Sequence, residues 1–261
     1  MGRAKHKIDP NQQPFLAHLM ELRDRLLNIV KIVVLVFLCL SPFANDLYTA
    51  LAKPLIASLP AGSTMIATEV ASPFLTPFKF AFFFAVFVAM PYILYQVWAF
   101  IAPGLYATER KIVFPLLLSS SILFYFGMSF AYFIVFPLAF GFLMGTAPEG
   151  VTVMTDISHY LNFVLKMFFA FGLAFEVPVA TFLLVRAGVA TVESLAEKRR
   201  YVIVGAFIFG AIFTPPDVIS QTLLAVPMWL LFELGLYVTR RVMKGGQAES
   251  ATADADANRH E

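Results

Sequence analysis

Six blocks of apolar residues dictate what this chain folds into, because most of them are long enough to cross a hydrocarbon core of roughly 30 Å. They run over residues 26–43, 74–97, 112–136, 160–185, 201–213 and 218–238. Charged residues make up 14% of the chain and hydrophobic ones 59%, whereas a soluble domain needs about 25% charged residues to cover its surface. The sequence therefore predicts an all-α, multi-pass membrane protein with six transmembrane helices. The longest piece between blocks, 45–72, is too short for a nucleotide-hydrolysing domain, and no G-x-x-x-x-G-K-[ST] run exists. Any work must then draw on a partner or a membrane gradient. Cys39, the single cysteine, lies in an apolar run, which excludes a disulfide scaffold. A net charge of +2, with the basic residues gathered at block edges, offers no surface to nucleic acid.

The first block is too long for the apolar region of a cleaved signal and lacks a small-x-small exit, so it reads as a retained helix. Lys79, near the start of the second, is placed to snorkel. Pro115 and Pro137 delimit the third, and the fourth carries Lys166 and Glu176. The fifth is short; it either thins the bilayer locally or forms a re-entrant hairpin with the sixth. Arg3, Lys5, Lys7, Arg23, Arg25, Arg110, Lys111, Arg186, Lys198 to Arg200, Arg240, Arg241, Lys244 and Arg259 all fall on one side of that topology. By the positive-inside rule both termini are cytoplasmic. Residues 1–25 read as a cytoplasmic segment with an interfacial amphipathic helix, since Phe15, Leu19, Leu22 and Leu26 recur at helical spacing. Residues 26–238 form the membrane domain. The stretch 239–261, rich in Ala, Asp and Glu at its end, is expected to be disordered.

The sequence offers little to an enzyme. H-E-x-x-H and G-x-S-x-G are absent, none of the four histidines lies inside a block, and no cofactor or metal site is expected. Ser119 to Ser121 read as small residues packing one helix on another. Gly141 and Gly145 give a weak G-x-x-x-G. Glu176 is harder to set aside. It lies ten residues before Arg186, about 15 Å into the membrane at 1.5 Å per residue. A carboxylate there costs roughly 2.5–3.5 kcal/mol, so it must face protein or water. Pro178 cannot donate to the carbonyl of Ala174, which places a kink beside the acid.

Two further acids, Glu21 in the amphipathic helix and Glu109 in the loop before the third block, have ordinary local roles open to them. Glu21 is spaced to pair with Arg25 at i,i+4, worth about 0.2–0.5 kcal/mol, and Glu109 adjoins Arg110. If they converge instead, they make a site for paired cations, and guanidinium suits it best because it binds carboxylate bidentately. Asp217, after Pro215 and Pro216, reads as an N-cap of the last helix, with room left for a polar contact by Gln221 one turn on.

Four stretches resemble the TatC family of twin-arginine translocase subunits. They are 15–26 (FLAHLMELRDRL), 100–106 (FIAPGLY) with Glu109 and Arg110, 171–178 (FGLAFEVP), and 214–217 (TPPD) with Ser220 and Gln221. Together they run through nearly the whole membrane part, in the wording of Gram-negative proteobacteria. The resemblance implies a glove-like, concave bundle of six helices with the last two short. It implies a receptor in the bacterial inner membrane that binds Arg-Arg signal peptides of folded precursors. Such a receptor works with the single-span subunits TatB and TatA, with other copies of itself and with lipid, powered by the proton-motive force. By motif match, Glu21 and Glu109 bind the arginine pair, with Arg23, Phe100 and Leu105 shaping the patch. Glu176 is the polar group of the concave face, and Thr214, Asp217 and Gln221 lie where partner helices dock.

Energetics divides that task. Two arginine–carboxylate contacts, at roughly 1.5–3 kcal/mol each, supply about 3–6, while micromolar binding needs about 8. The signal's apolar segment must add the remainder. The competing function is a proton-coupled secondary transporter built on Glu176, which leaves Glu21 and Glu109 without a role.

Overall fold

The computed structural model describes residues 12–58, 64–101, 110–146, 154–214 and 218–257. Regular structure among them is helical, apart from one parallel bridge between Ile66 and Asp156. The helices are α1 (Gln12–Leu40), α2 (Ala44–Ser58), α3 (Ser72–Val88), α4 (Met90–Ile101), α5 (Arg110–Phe130), α6 (Phe136–Gly145), α7 (Ile157–Phe175), α8 (Val177–Arg186), α9 (Val192–Glu197), α10 (Arg199–Phe213) and α11 (Val218–Ala257). Four stretches are long and apolar enough to cross a membrane: His18–Lys53, Phe114–Gly145, Ile157–Arg186 and Val218–Met243. The bent pair α3–α4, taken as one broken span, brings the number to five. With 15 residues, α10 is about 22 Å long at 1.5 Å per residue and falls short of that length.

The second apolar block is not one straight helix. It bends by 54° between α3 and α4, because Pro91 has no N–H for the carbonyl of Phe87 and its ring crowds that oxygen. The stranded carbonyl is served from another helix, by the hydroxyl of Tyr125 at 3.0 Å.

The third block also departs from expectation, in the opposite sense. Pro115 and Pro137 do not delimit it; helix continues from Arg110 to Gly145 through a π-helical turn at Ala131–Val135. Pro137 removes the donor for the carbonyl of Phe133, and the helix absorbs the loss by widening, with the amide of Phe136 bonding back to Ala131. At the other end of the chain, helix α11 runs on to Ala257 where a disordered tail is expected; Ala, the strongest helix former, recurs there.

The core is built of aromatic rings. Phe87, Phe124, Phe136 and Phe171 are fully buried where α3, α5, α6 and α7 meet. Lipid tails give no hydrophobic drive to bring helices together, so close approach must do it. Gly127 on α5 and Gly172 on α7 provide that approach. A Cβ on Gly127 would lie 2.5 Å from the carbonyl oxygen of Phe171, and one on Gly172 would enter the ring of Phe124. Gly141 and Gly145 face open space, so the G-x-x-x-G packs nothing among the described residues.

A polar clamp closes one end of the bundle. Asp156 caps α7, its Oδ1 accepting from the amides of Ser158 and His159 at 2.8 and 3.0 Å. Its Oδ2 accepts from the amide and hydroxyl of Thr68 at 2.9 and 2.7 Å. The Thr68 bonds, above all, hold this carboxyl well below the usual carboxylate range, helped by the two helix amides. Lys79 is exposed but not left to lipid; its ammonium donates to Asn162 of α7 at 2.5 Å. By contrast α1 is barely covered. Its stripe of Leu19, Leu22 and Leu26 is exposed, which suits a helix whose apolar side meets lipid.

Candidate functional site

The beginning of α1 packs along α4 and gathers a polar patch. The imidazole of His18 stacks on the ring of Phe100, centroids 4.2 Å apart and planes within 10°. One turn on, Glu21 Oε1 accepts from Nε and Nη2 of Arg25 at 2.9 and 2.6 Å, which is the local i,i+4 pairing open to it from sequence. The third guanidinium nitrogen, Nη1, crosses to α4 and donates to Gln96 Oε1 at 2.9 Å. Gln96 is buried, and its Nε2 donates to the hydroxyl of Tyr92 at 2.7 Å. The amide orientation is forced, since guanidinium has donors only and must meet the oxygen.

The second oxygen of Glu21, Oε2, lies 3.8 Å from His18 Nδ1, and the side chain is 40% exposed. Arg23 is turned away from this network and pairs with Asp24 at 2.8 Å. Leu105 and Glu109 lie outside the described residues. The structure thus unites His18, Glu21, Arg25, Gln96 and Phe100. Sequence reasoning missed Gln96 and Tyr92. An amide at i+4 from a tyrosine inside an apolar block was the available signal.

A second polar group lies deeper. Glu176 interrupts the long helix between α7 and α8, at the kink that Pro178 imposes, and is buried. Its Oε2 accepts from the hydroxyl of Ser120 on α5 at 2.5 Å. Ser120 in turn accepts from Trp98 Nε1 at 3.2 Å. The other carboxyl oxygen, Oε1, is buried without a hydrogen-bond partner among the described residues. Ser120 is therefore more than a small packing residue. Three elements converge on the acid, and one of them, α4, also carries Gln96 and Phe100, so the two polar sites share a helix.

The turn between α10 and α11 forms the third constellation. Thr214 is buried and its hydroxyl donates to the carbonyl of Gly210 at 2.9 Å, closing α10. Gln221 Nε2 donates to the carbonyl of Phe207 at 2.8 Å, so the amide nitrogen braces this chain's own hairpin. Asp217 lies outside the described residues. Farther along, Arg199 and Glu233 join α10 to α11 through two parallel bonds of 2.6 and 2.9 Å. An acid so deep in the sixth block went unread in the sequence. Among the described residues no group of three or more His, Cys, Asp and Glu is placed to hold a metal ion.

Residues 17–227 match the family described as Sec-independent protein translocase protein (TatC). The chain is 58% identical over 228 residues to the TatC protein of Escherichia coli K12, covering 87% of this chain and 88% of that one. It is 60% identical over 229 residues to the TatC protein of Azotobacter chroococcum, covering 88% and 90%. Among solved structures, the crystal structure of the twin arginine translocase receptor TatC superimposes with a TM-score of 0.76 at 39% identity, covering 87% of this chain and 99% of that one. The chain belongs to the TatC family of Sec-independent protein translocase proteins, membrane transport subunits rather than enzymes.

Proposed function

We propose that this protein is the receptor subunit of a twin-arginine translocase in a bacterial inner membrane. It binds the Arg-Arg signal peptides of folded precursors and assembles with TatB, TatA and further copies of itself for export driven by the proton-motive force. The observation that carries the reading is the likeness, along 99% of its length, to a structure described as the twin arginine translocase receptor. The same reading gives the chain six spans with α10 as the short fifth, both termini in the cytoplasm, and a carboxy-terminal segment from residue 239 on that side.

Within it, Glu21 and Glu109 receive the two guanidinium groups, flanked by Arg23, Phe100 and Leu105. Glu21 supports this role through a carboxylate side chain 40% exposed, on a helix whose His18 stacks on Phe100. Glu176 is the polar group that the signal or a partner helix meets inside the membrane, and Thr214, Asp217 and Gln221 mark the corner where partner helices dock. Carboxylates select and the apolar groove supplies affinity.

The test is binding of an Arg-Arg signal peptide and its Lys-Lys variant to the detergent-purified chain, at two salt concentrations, for wild type, Glu21→Gln and Glu109→Gln. Arginine-selective, salt-sensitive binding that collapses in either variant is the expected result. Binding indifferent to Arg or Lys, or unchanged in both variants, returns the acids to local ion pairs.

A further inference from the structure

Glu21 is already occupied by a guanidinium, and it belongs to this chain. We propose that Arg25 is a built-in placeholder on Glu21, which an incoming arginine displaces, and that Gln96 receives and holds the displaced side chain. The inference rests on the assignment of Glu21 to arginine recognition.

Three features of the geometry lead to it. First, Arg25 spends two donors, Nε and Nη2, on a single oxygen of Glu21, leaving Oε2 outside that pairing, beside His18 on a side chain 40% exposed. A carboxylate accepts at both oxygens, so a ligand guanidinium has a place to land before Arg25 has left. Second, an i,i+4 pair on a helix surface needs no third party, yet Nη1 is drawn to a buried amide on another helix. Tyr92 fixes the orientation of that amide. Third, this contact does not involve Glu21. When a ligand takes over the carboxylate, Arg25 keeps an acceptor and is not stranded, which lowers the cost of the exchange.

The ligand's own donors discriminate. An arginine ligand reproduces the planar two-donor contact that it breaks, whereas lysine offers a compact point charge and recovers less. Displacing Arg25 costs the same whichever ligand arrives, so the placeholder lowers the affinity for both and leaves their ratio to the contacts each makes with Glu21.

The signs of three substitutions separate this role from a structural one. Arg25→Gln vacates Glu21 and raises affinity for an Arg-Arg peptide by roughly two- to five-fold, the scale of a partly exposed ion pair, and raises that for a Lys-Lys peptide by the same factor. Gln96→Glu draws Arg25 away and acts in the same direction. Gln96→Leu removes the receiving acceptor and lowers affinity. A merely structural network makes all three lower it.

The experiment is titration of the folded, detergent-purified full chain with synthetic Arg-Arg and Lys-Lys signal peptides. Size exclusion and thermal unfolding certify each variant, and Glu21→Gln is included. Increases for Arg25→Gln and Gln96→Glu with a decrease for Gln96→Leu support the placeholder. Equal signs for all, or no change for Arg25→Gln, overturn it even if Glu21→Gln abolishes binding. If Glu21→Gln binds like wild type, the assignment of Glu21 itself falls. Should Arg25→Gln not fold, the two Gln96 variants decide by their opposite or equal signs.

Discussion

The hydroxyl of Ser120 on α5 lies 2.5 Å from Oε2 of Glu176, at the break between α7 and α8, while the second oxygen of that carboxyl has no partner among the described residues. Ser120 is the acid's protein donor there and also the acceptor for Trp98. Ser120→Ala therefore leaves two buried polar groups unpaired at once. Each stranded group costs about 1–3 kcal/mol, so the variant should unfold at clearly lower temperature in detergent. Trp98→Phe removes the outer donor, at roughly 1 kcal/mol, and adds the cost of the space the smaller ring leaves in the core. A Ser120→Ala protein as stable as wild type would mean that another donor satisfies the acid.

The crossing of α5 and α7 leaves no room for a methyl group at Gly172, where a Cβ would meet the ring of Phe124. Gly172→Ala is expected to cost about 1–3 kcal/mol through overpacking. Gly141→Ala meets nothing within 4 Å and should be neutral or slightly stabilising. Thermal unfolding of the two variants side by side separates close helix approach from a general intolerance of substitution.

Asp156 makes the clamp on Thr68 sensitive to acid in a defined direction. Its folded carboxyl is held below the unfolded value of about 3.9, so its stabilisation is complete above that pH. It is lost as pH falls below about 4 toward the folded value. Between pH 8 and 5 this group should leave stability unchanged, and a fall should begin only below that window. Asp156→Asn should be less stable at neutral pH and lack that part of the acid-dependent loss. Unfolding midpoints measured from pH 8 to pH 3 on both proteins check the sign. An identical acid profile in the two would refute the assignment.

Gln221 faces two demands, one seen in its bond to Phe207 and one proposed with a partner helix. If the bond to the Phe207 carbonyl at 2.8 Å is its main use, Gln221→Leu should destabilise the isolated chain by about 1 kcal/mol. If partner contact dominates, the isolated chain keeps its stability and co-purification with TatB or TatA falls. Measuring both on one variant distinguishes them.

What the sequence revealed follows from where its physics is local. Apolar blocks and the i,i+4 relation of Glu21 to Arg25 depend on neighbours along the chain, and both are visible without a structure. The helix break at Glu176 was legible for the same reason, through Pro178. Pro91 carried an equal signal that went unused, because an apolar run of the right length masked the bend. Pro115 and Pro137 misled in the other direction, since the helix carries Pro115 in its interior and passes Pro137 through a π turn. The contacts of Gln96, Ser120 and Thr68 were hidden for a different reason. Each pairs with a residue far off in the chain, and single-chain periodicity does not say which segments meet. For Glu109, Leu105 and Asp217 the motif match remains the ground for their assignment.

The bonds between Thr68 and Asp156 join positions 88 residues apart, and that separation sets an order of events during biogenesis. At roughly 5–20 residues per second of synthesis, Thr68 emerges several seconds before the acid that will hold it. Throughout that interval Thr68 lacks the carboxylate that receives its amide and hydroxyl. Closure of that end of the bundle therefore waits on the start of α7, and a chain that stops short of residue 156 keeps it untied.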